Sequence, residues 1–358
     1  MSNDMNYVNY LGLEKVLNAQ RMRSNETDKP AHDEHLFIIV HQTYELWFKQ
    51  ILFELDSILA IFKADHVNEE DMGKVVARAH RINSIFHVII QHIDVLETMT
   101  PLDFLEFRDL IYKASGFQST QFRLLENKLG LKSTQRVSMG DHPYSEHIHA
   151  SDKAKVVATE TEKSLFDCID SWLSRTPFLS TDSFKFWDHY KLHANIMFQK
   201  DIEFIKNNST LSEKDKSHLM AQIDSTLKLF DGLFDEKLFN EARKNGEWRF
   251  SFRALHAALL IQVYRDKPAF QLPFRLLTEI LNLDSHLTQW RYRHVIMVKR
   301  MLGVRIGSGG STGAHYLQQS ADKHKIFDDL YKLTSFFIPR SKLPDLPEEF
   351  NKKLGFSF

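Results

Sequence analysis

The segment Trp290 to Gly313, WRYRHVIMVKRMLGVRIGSGGSTG, concentrates residues able to do chemistry. A single imidazole, His294, falls on a stripe with Leu283, Leu287, Trp290, Met297 and Met301. These positions step by three and four residues, the spacing of one helix face. Arg291, Arg293, Lys299 and Arg300 lie off the stripe. Five of the thirteen glycines follow at once: Gly303, Gly307, Gly309, Gly310 and Gly313. Backbone N–H groups in such a loop, leading into a helix near Gly313, suit an anion such as a carboxylate, with Ser308 and Ser311 adding hydroxyls. The glycines miss the G-x-G-x-x-G spacing, a helix precedes them instead of a strand, and G-K-[ST] is absent, so the loop is not a nucleotide fingerprint.

A second imidazole lies on a comparable face. Phe37, His41, Tyr44, Phe48, Leu52 and Leu55 step by four and three within 34–62, so His41 sits in an aromatic stripe. Phe104 and Arg108 are i,i+4 neighbours just before an Ala114-Ser115-Gly116 corner. Other chemistries find no support. H-E-x-x-H is absent, and His80, His87 and His92 do not form an i,i+4 ligand pair. His32 and His35 lack a nameable third ligand, and Asp33 reads better as an N-cap. No G-x-S-x-G or Cys/His pairing offers a nucleophile. The single cysteine, Cys168, excludes an internal disulfide, a Cys-rich zinc site and a C-x-x-C-H haem attachment. A non-covalent haem needs one axial imidazole, an apolar slot and cations for its propionates. His294, the two aromatic faces and the flanking basic residues supply those parts; a hydrogen-bonded core histidine is the competing reading.

The elements that must position these residues are helical. Gly and Pro together make 22 of 358 residues, and such scarce punctuation favours long helices over many short strands. Helical periodicity runs over 34–62, from Glu69 to Met99 before Thr100-Pro101, and through two short helices flanking the 114–116 corner, the second ending at Gly130. Residues 131–150 read as a polar surface loop, and 151–249 as amphipathic helices bounded by Pro177, a Ser212 cap and Asn245-Gly246. A deep helix over Phe250–Arg265 precedes one from Leu276 to about Leu302. A helix from about Gly313 to Phe336 follows the glycine loop, and the tail beyond Pro339 has no assigned element. One all-α haem domain with a small helical appendage is the economical fold. Its parts are an N-terminal arm (1–30), distal-side helices and loop (31–150), appendage and connecting helices (151–249), and the proximal helix, glycine loop and C-terminal helix (250–358). Tyr7, Tyr10 and Leu11 give the arm an apolar face without an obvious internal partner. A net charge of −1 leaves no global field for nucleic acid or an anionic membrane. The start lacks the basic and apolar regions of a signal peptide, and no apolar run reaches membrane-span length, so a cytoplasmic setting is expected.

Three blocks resemble the tryptophan 2,3-dioxygenase family: DEHLFIIVHQTYELWFKQILFELDSI (33–58), LDFLEFRDL through ASGFQSTQFRLLENKLG (102–130), and WRYRHVIMVKRMLGVRIGSGGSTG with HYL (290–317). The similarity continues through FRALHAALLIQVYRDKPAFQLPFRLLTEI and YLGLEKVLNAQ, and thins at 131–150, 205–245 and the tail. The resemblance implies an all-α homotetrameric haem enzyme that uses O2 to open the indole ring of L-tryptophan, giving N-formyl-L-kynurenine. It implies ferrous haem b with His294 as proximal iron ligand and Ser115 and Gly116 beside the haem. His41 becomes the distal histidine that hydrogen-bonds the indole N–H. Phe37, Tyr44 and Phe104 are implied as pocket walls and Arg108 as the partner of the substrate carboxylate, while Tyr7, Tyr10 and Leu11 are lent to the neighbouring subunit. The family loop usually reads GTGGSSG; here Ser308 replaces its threonine, keeping the hydroxyl and losing the methyl, and Ala314 replaces a residue that is often aromatic. A haem and tryptophan sensor without turnover, or a haem dioxygenase for another indole, shares these features and is separated from the first reading by product analysis.

Overall fold

The computed structural model describes residues 5–64, 67–112, 114–137, 148–176, 186–303 and 313–355. Among the described residues every regular element is helical, as expected of an all-α chain. In chain order these are α1 (Tyr7–Leu11), α2 (Leu13–Leu17), α3 (Glu34–Phe62), α4 (Glu69–Leu96), α5 (Pro101–Arg108), α6 (Thr120–Leu129), α7 (Ala150–Thr161) and α8 (Leu165–Ser174). They continue as α9 (Phe186–Asn207), α10 (Glu213–Phe234), α11 (Glu236–Lys244), α12 (Phe252–Val263), α13 (Pro268–Leu302), α14 (Gly313–Lys323), α15 (Asp328–Lys332) and α16 (Glu348–Leu354).

The chain divides into two compact units. One comprises Met1–Asp56, Arg81–Glu162 and Leu283–Lys325; the other comprises Ser57–His80, Lys163–Asn282 and Ile326–Phe358.

In the first unit, α3 buries Val40, Tyr44, Phe48, Ile51 and Leu55, the inward positions of its three-and-four pattern. Thr100 caps α5 by accepting from the Asp103 N–H at 3.3 Å, and the Asp103 carboxylate returns a bond to the Thr100 N–H at 3.0 Å. Pro101 occupies the first helical position, where no N–H is required. Gly130, at φ 116°, ends α6 in the left-handed region that glycine tolerates. The expected amphipathic segment from Tyr7 to Gln20 is split into α1 and α2 by Gly12 at φ 61°. Tyr7 and Tyr10 remain 73% and 74% exposed, so the arm's apolar face finds no cover among the described residues.

Three sequence boundaries need correction. The helix carrying His294 starts at Pro268, not Leu276. Proline is tolerated at its first position, and although Pro273 removes one N–H donor, burial of Leu276, Leu277, Ile280 and Leu283 holds the helix together. The helix expected from Gly313 to Phe336 stops at Lys323 and resumes as α15 and a 3-10 turn, Leu333–Phe336. The break coincides with His324, which is fully buried and whose carbonyl accepts from Arg291 Nη1 at 2.8 Å. The tail beyond Pro339 contains α16, which begins after Pro347 with Glu348 and Glu349 favourably placed in its first turn.

In the second unit, α12 is buried along nearly its whole length and packs against α8. The Asp329 carboxylate fixes its approach by accepting the N–H groups of Arg249 and Phe250, both at 2.7 Å. His256 is 2% exposed and ringed by Trp187, Phe234 and Phe252. Its Nδ1 donates to the Phe252 carbonyl at 2.7 Å. Burial carries its pKa from 6.5 down to about 4, although that hydrogen bond works in the opposite direction. The native state therefore binds fewer protons than the unfolded chain. Stability is fully present above pH 6.5 and is lost as pH falls towards 4, by about 3 kcal/mol for this group. Melting temperature is expected to fall steadily over that window, with a shallower decline in His256→Leu; equal slopes in both proteins would contradict the assignment.

Candidate functional site

The first unit contains both sequence-identified imidazoles, one on α3 and one on α13. His41 sits one turn after Phe37, their ring centroids 4.1 Å apart. Its Nδ1 lies 2.7 Å from the Phe37 carbonyl oxygen. A carbonyl only accepts, so Nδ1 carries the proton and Nε2 of the neutral ring keeps its lone pair. Burial lowers the His41 pKa; the Phe37 carbonyl and Glu45 oppose the change.

On α13, Trp290 stacks on His294 at 5.4 Å with their planes 21° apart. Phe122 of α6 packs against Trp290 at 5.0 Å, and Phe48 and Tyr44 of α3 meet it edge-on. The His294 ring is held neutral: burial, and secondarily the charge His41 would carry, push its pKa down to about 4. His41 is thus near enough for its charge to disfavour protonation of His294. His294 Nδ1 is buried and has no hydrogen-bond partner among the described residues. A buried polar nitrogen without a partner is costly. A neutral imidazole in an apolar surround is the form that ligates a metal, and the donor set fits a haem iron that takes its other protein-side needs from one histidine.

The remaining sequence-identified residues fall into five sets. Phe37 and Phe104 lie 5.9 Å apart, and both pack on fully buried Phe107, at 5.5 and 5.4 Å. Arg108 closes the same helix with its side chain 22% exposed and 3.6 Å from the Asp109 carboxylate. Tyr44 lies deeper, buried between His41, Phe48, His92 and Trp290, and burial raises its pKa. Ser115 caps the short turn Gly116–Gln118 by accepting from the Phe117 N–H at 3.4 Å, and Phe117 meets Tyr316 of α14 edge-on at 5.2 Å. Tyr7, Tyr10 and Leu11 are exposed on α1. Ser308, with Gly307, Gly309, Gly310 and Ser311, lies outside the described residues.

One expectation is overturned. Three of the four off-stripe cations beside His294 are engaged with carboxylates, while Lys299 donates to Gln318 Oε1 at 3.3 Å. Arg291 is buried at 3% exposure and pairs with Glu126 at 2.7 Å. Arg293 pairs with Asp94 and Glu97, and Arg300 lies 3.8 Å from Glu97. Helical periodicity places Arg291 off one face of α13 but cannot reveal that α6 covers that second face. Phe107, Phe122 and Glu126 also escaped sequence reasoning.

Comparison with known proteins bears on these residues as a set. Residues 1–337 match the family model described as tryptophan 2,3-dioxygenase. The chain belongs to the tryptophan 2,3-dioxygenase family. It is 52% identical over 354 residues to the tryptophan 2,3-dioxygenase of Bdellovibrio bacteriovorus, covering 99% of each chain. It is 43% identical over 350 residues to that of Alteromonas mediterranea, covering 98% and 97%. Against the mouse protein of the same name, identity is 45% over 342 residues, covering 95% of this chain and 84% of the relative.

The aromatic wall generates a stability test. Phe107→Ala removes a fully buried ring that supports Phe37 and Phe104 and is expected to cost about 3–5 kcal/mol. Urea unfolding measures this directly; an unchanged midpoint would remove Phe107 from the wall.

Proposed function

We propose that this protein is a haem-dependent dioxygenase that inserts both atoms of O2 across the indole C2–C3 bond of L-tryptophan, giving N-formyl-L-kynurenine. This is the first step of tryptophan catabolism by the kynurenine pathway. The observation that carries the reading is a pair of neutral imidazoles, His294 within electrostatic reach of His41 and with a buried nitrogen that has no hydrogen-bond partner among the described residues, and His41 with its tautomer set by a backbone carbonyl.

In this reading His294 is the proximal ligand of a non-covalent haem b, and Ser115 and Gly116 lie at the haem's edge. Bound in its ferrous form, the haem supplies the O2 chemistry that no side chain offers. The protein's own residues position the substrate. His41 Nε2 accepts the indole N–H, and since its pKa lies below the ordinary histidine value the acceptor form prevails at neutral pH. That bond orients the ring without requiring its deprotonation. Phe37 and Phe104 flank the indole, with Tyr44 backing His41. Arg108, at the end of the helix bearing Phe104, pairs with the substrate carboxylate. The Ser308 hydroxyl hydrogen-bonds the amino acid end, a role resting on sequence resemblance.

The exposed face of Tyr7, Tyr10 and Leu11 is the surface a homotetramer would bury when each arm completes a neighbour's pocket. Among the described residues no helix is long and apolar enough to cross a membrane, and the near-zero net charge gives no reason to expect nucleic acid as a partner. Cytoplasmic residence completes the reading.

Reducing the haem-loaded protein, adding L-tryptophan and admitting air should produce the absorbance of N-formylkynurenine. Haem binding with tryptophan left intact would instead identify a sensor, and turnover confined to another indole would change the substrate. Arg108→Leu should raise KM for L-tryptophan at least ~10-fold, as expected for loss of a charge-assisted pair; an unchanged KM would refute its carboxylate role.

A further inference from the structure

We infer that Glu126 is a positioning residue for the histidine-bearing helix and that it acts through Arg291. The inference rests on the proposed role of His294 as haem ligand. Glu126 is 1% exposed on α6. Its Oε1 accepts from Arg291 Nη2 at 2.7 Å, and its Oε2 accepts from Arg123 Nη1 at 2.9 Å and Arg136 Nη1 at 2.5 Å. Burial alone would raise the Glu126 pKa, but Arg136, Arg123 and Arg291 hold it well below the usual carboxylate range. One buried anion therefore serves three guanidinium groups from three parts of the chain.

The position of Arg291 gives this cluster a reach beyond stability. Arg291 adjoins Trp290, the residue that stacks on His294. Phe122 and Glu126 are i,i+4 neighbours on α6, so they lie on one face of that helix. The two helices consequently meet through parallel contacts: Phe122 against Trp290 at 5.0 Å, and Glu126 against Arg291 at 2.7 Å. The apolar contact tolerates sliding, since ring packing is weakly directional. The charged contact does not, because a guanidinium meets a carboxylate in a narrow range of geometries. Arg291 also donates its other terminal nitrogen to the His324 carbonyl at 2.8 Å. His324 Nε2 accepts from the Val137 N–H at 3.0 Å, which leaves the proton on Nδ1 to be donated to Ser320 Oγ at 2.8 Å. Rotation of α13 about its axis would break the Glu126 and His324 contacts of Arg291 together. The rotation angle that aims His294 is thus set on α6, by a residue that touches neither haem nor substrate.

The test uses full-length, haem-loaded protein and compares wild type, Glu126→Gln, Glu126→Asp, Arg291→Gln and the double variant Glu126→Gln/Arg291→Gln. The readouts are the rate of haem transfer to an apomyoglobin acceptor, the iron–histidine stretching band of the reduced protein, and kcat and KM for L-tryptophan. Glu126→Gln should lose haem at least ~10-fold faster, a modest outcome for breaking a buried ion pair. Its iron–histidine band should shift or broaden, and kcat should fall while KM changes less than ~3-fold. Glu126→Asp, which keeps the charge, should recover part of the loss. In the Arg291→Gln background the Glu126 substitution should have little further effect on the band, since both act through one contact. A lower melting temperature with unaltered band and haem transfer would overturn the inference and leave Glu126 a stabilising residue only, as would additive effects of the two substitutions. If Glu126→Gln does not fold, Glu126→Asp and Arg291→Lys carry the same comparison, because each retains both charges while altering the geometry; a wild-type band in both would overturn the inference. A wild-type chain that takes up no haem would overturn the proposed function first, whereas haem-binding wild type with an indistinguishable Glu126→Gln would overturn this inference alone.

Discussion

A buried imidazole nitrogen without a hydrogen-bond partner is the constraint on which the site depends. Leaving such a nitrogen unsatisfied costs roughly 1–3 kcal/mol in a folded protein, and His294 Nδ1 has no hydrogen-bond partner among the described residues. The surroundings reinforce the arrangement. Trp290 stacks on the ring, Phe122, Phe48 and Tyr44 surround Trp290, and the ring's pKa falls to about 4. The residues around His294 thus keep its ring neutral, and none of those described bonds its Nδ1.

Across from it, His41 meets the opposite condition. Its Nδ1 is committed to the Phe37 carbonyl, so its remaining nitrogen is an acceptor by default. Two histidines of the same type therefore differ in their hydrogen bonding, the difference on which the proposed roles rest. The charged residues follow a similar division of labour. Arg291 is spent on Glu126 and Arg293 on Asp94 and Glu97, while Arg108 has as its described ion-pair contact the 93% exposed Asp109.

The sequence made the helices legible where one element's own pattern decides its fate. The bounds of α3 follow from its apolar steps, and those of α5 and α6 from Thr100-Pro101 and Gly130. Both histidines were legible for the same reason, as lone imidazoles on apolar faces. What escaped was settled between elements. Arg291 reads as a surface cation until α6 supplies Glu126, and the break after Lys323 reflects the capture of the His324 carbonyl by that same arginine. The early start of α13 escaped because Pro273 reads locally as a stop, whereas burial beyond it outweighs one lost hydrogen bond. Tyr44 reads as one more aromatic on the His41 face, yet its depth between Trp290 and His92 depends on α13 and α4. Family resemblance added the substrate, which neither periodicity nor spacing identifies, and favoured haem over a hydrogen-bonded core histidine.

The account stands on the unequal roles of the two histidines, and ligand exchange by substitution tests this most directly. Apoprotein of wild type, His294→Gly and His41→Ala should be titrated with haem, with and without added imidazole, and followed through the Soret band. Wild type and His41→Ala should each bind one haem per chain with a histidine-ligated spectrum. His294→Gly should bind haem poorly and recover that spectrum when imidazole fills the vacated position. Normal haem ligation in His294→Gly without imidazole, or its loss in His41→Ala, would contradict the account.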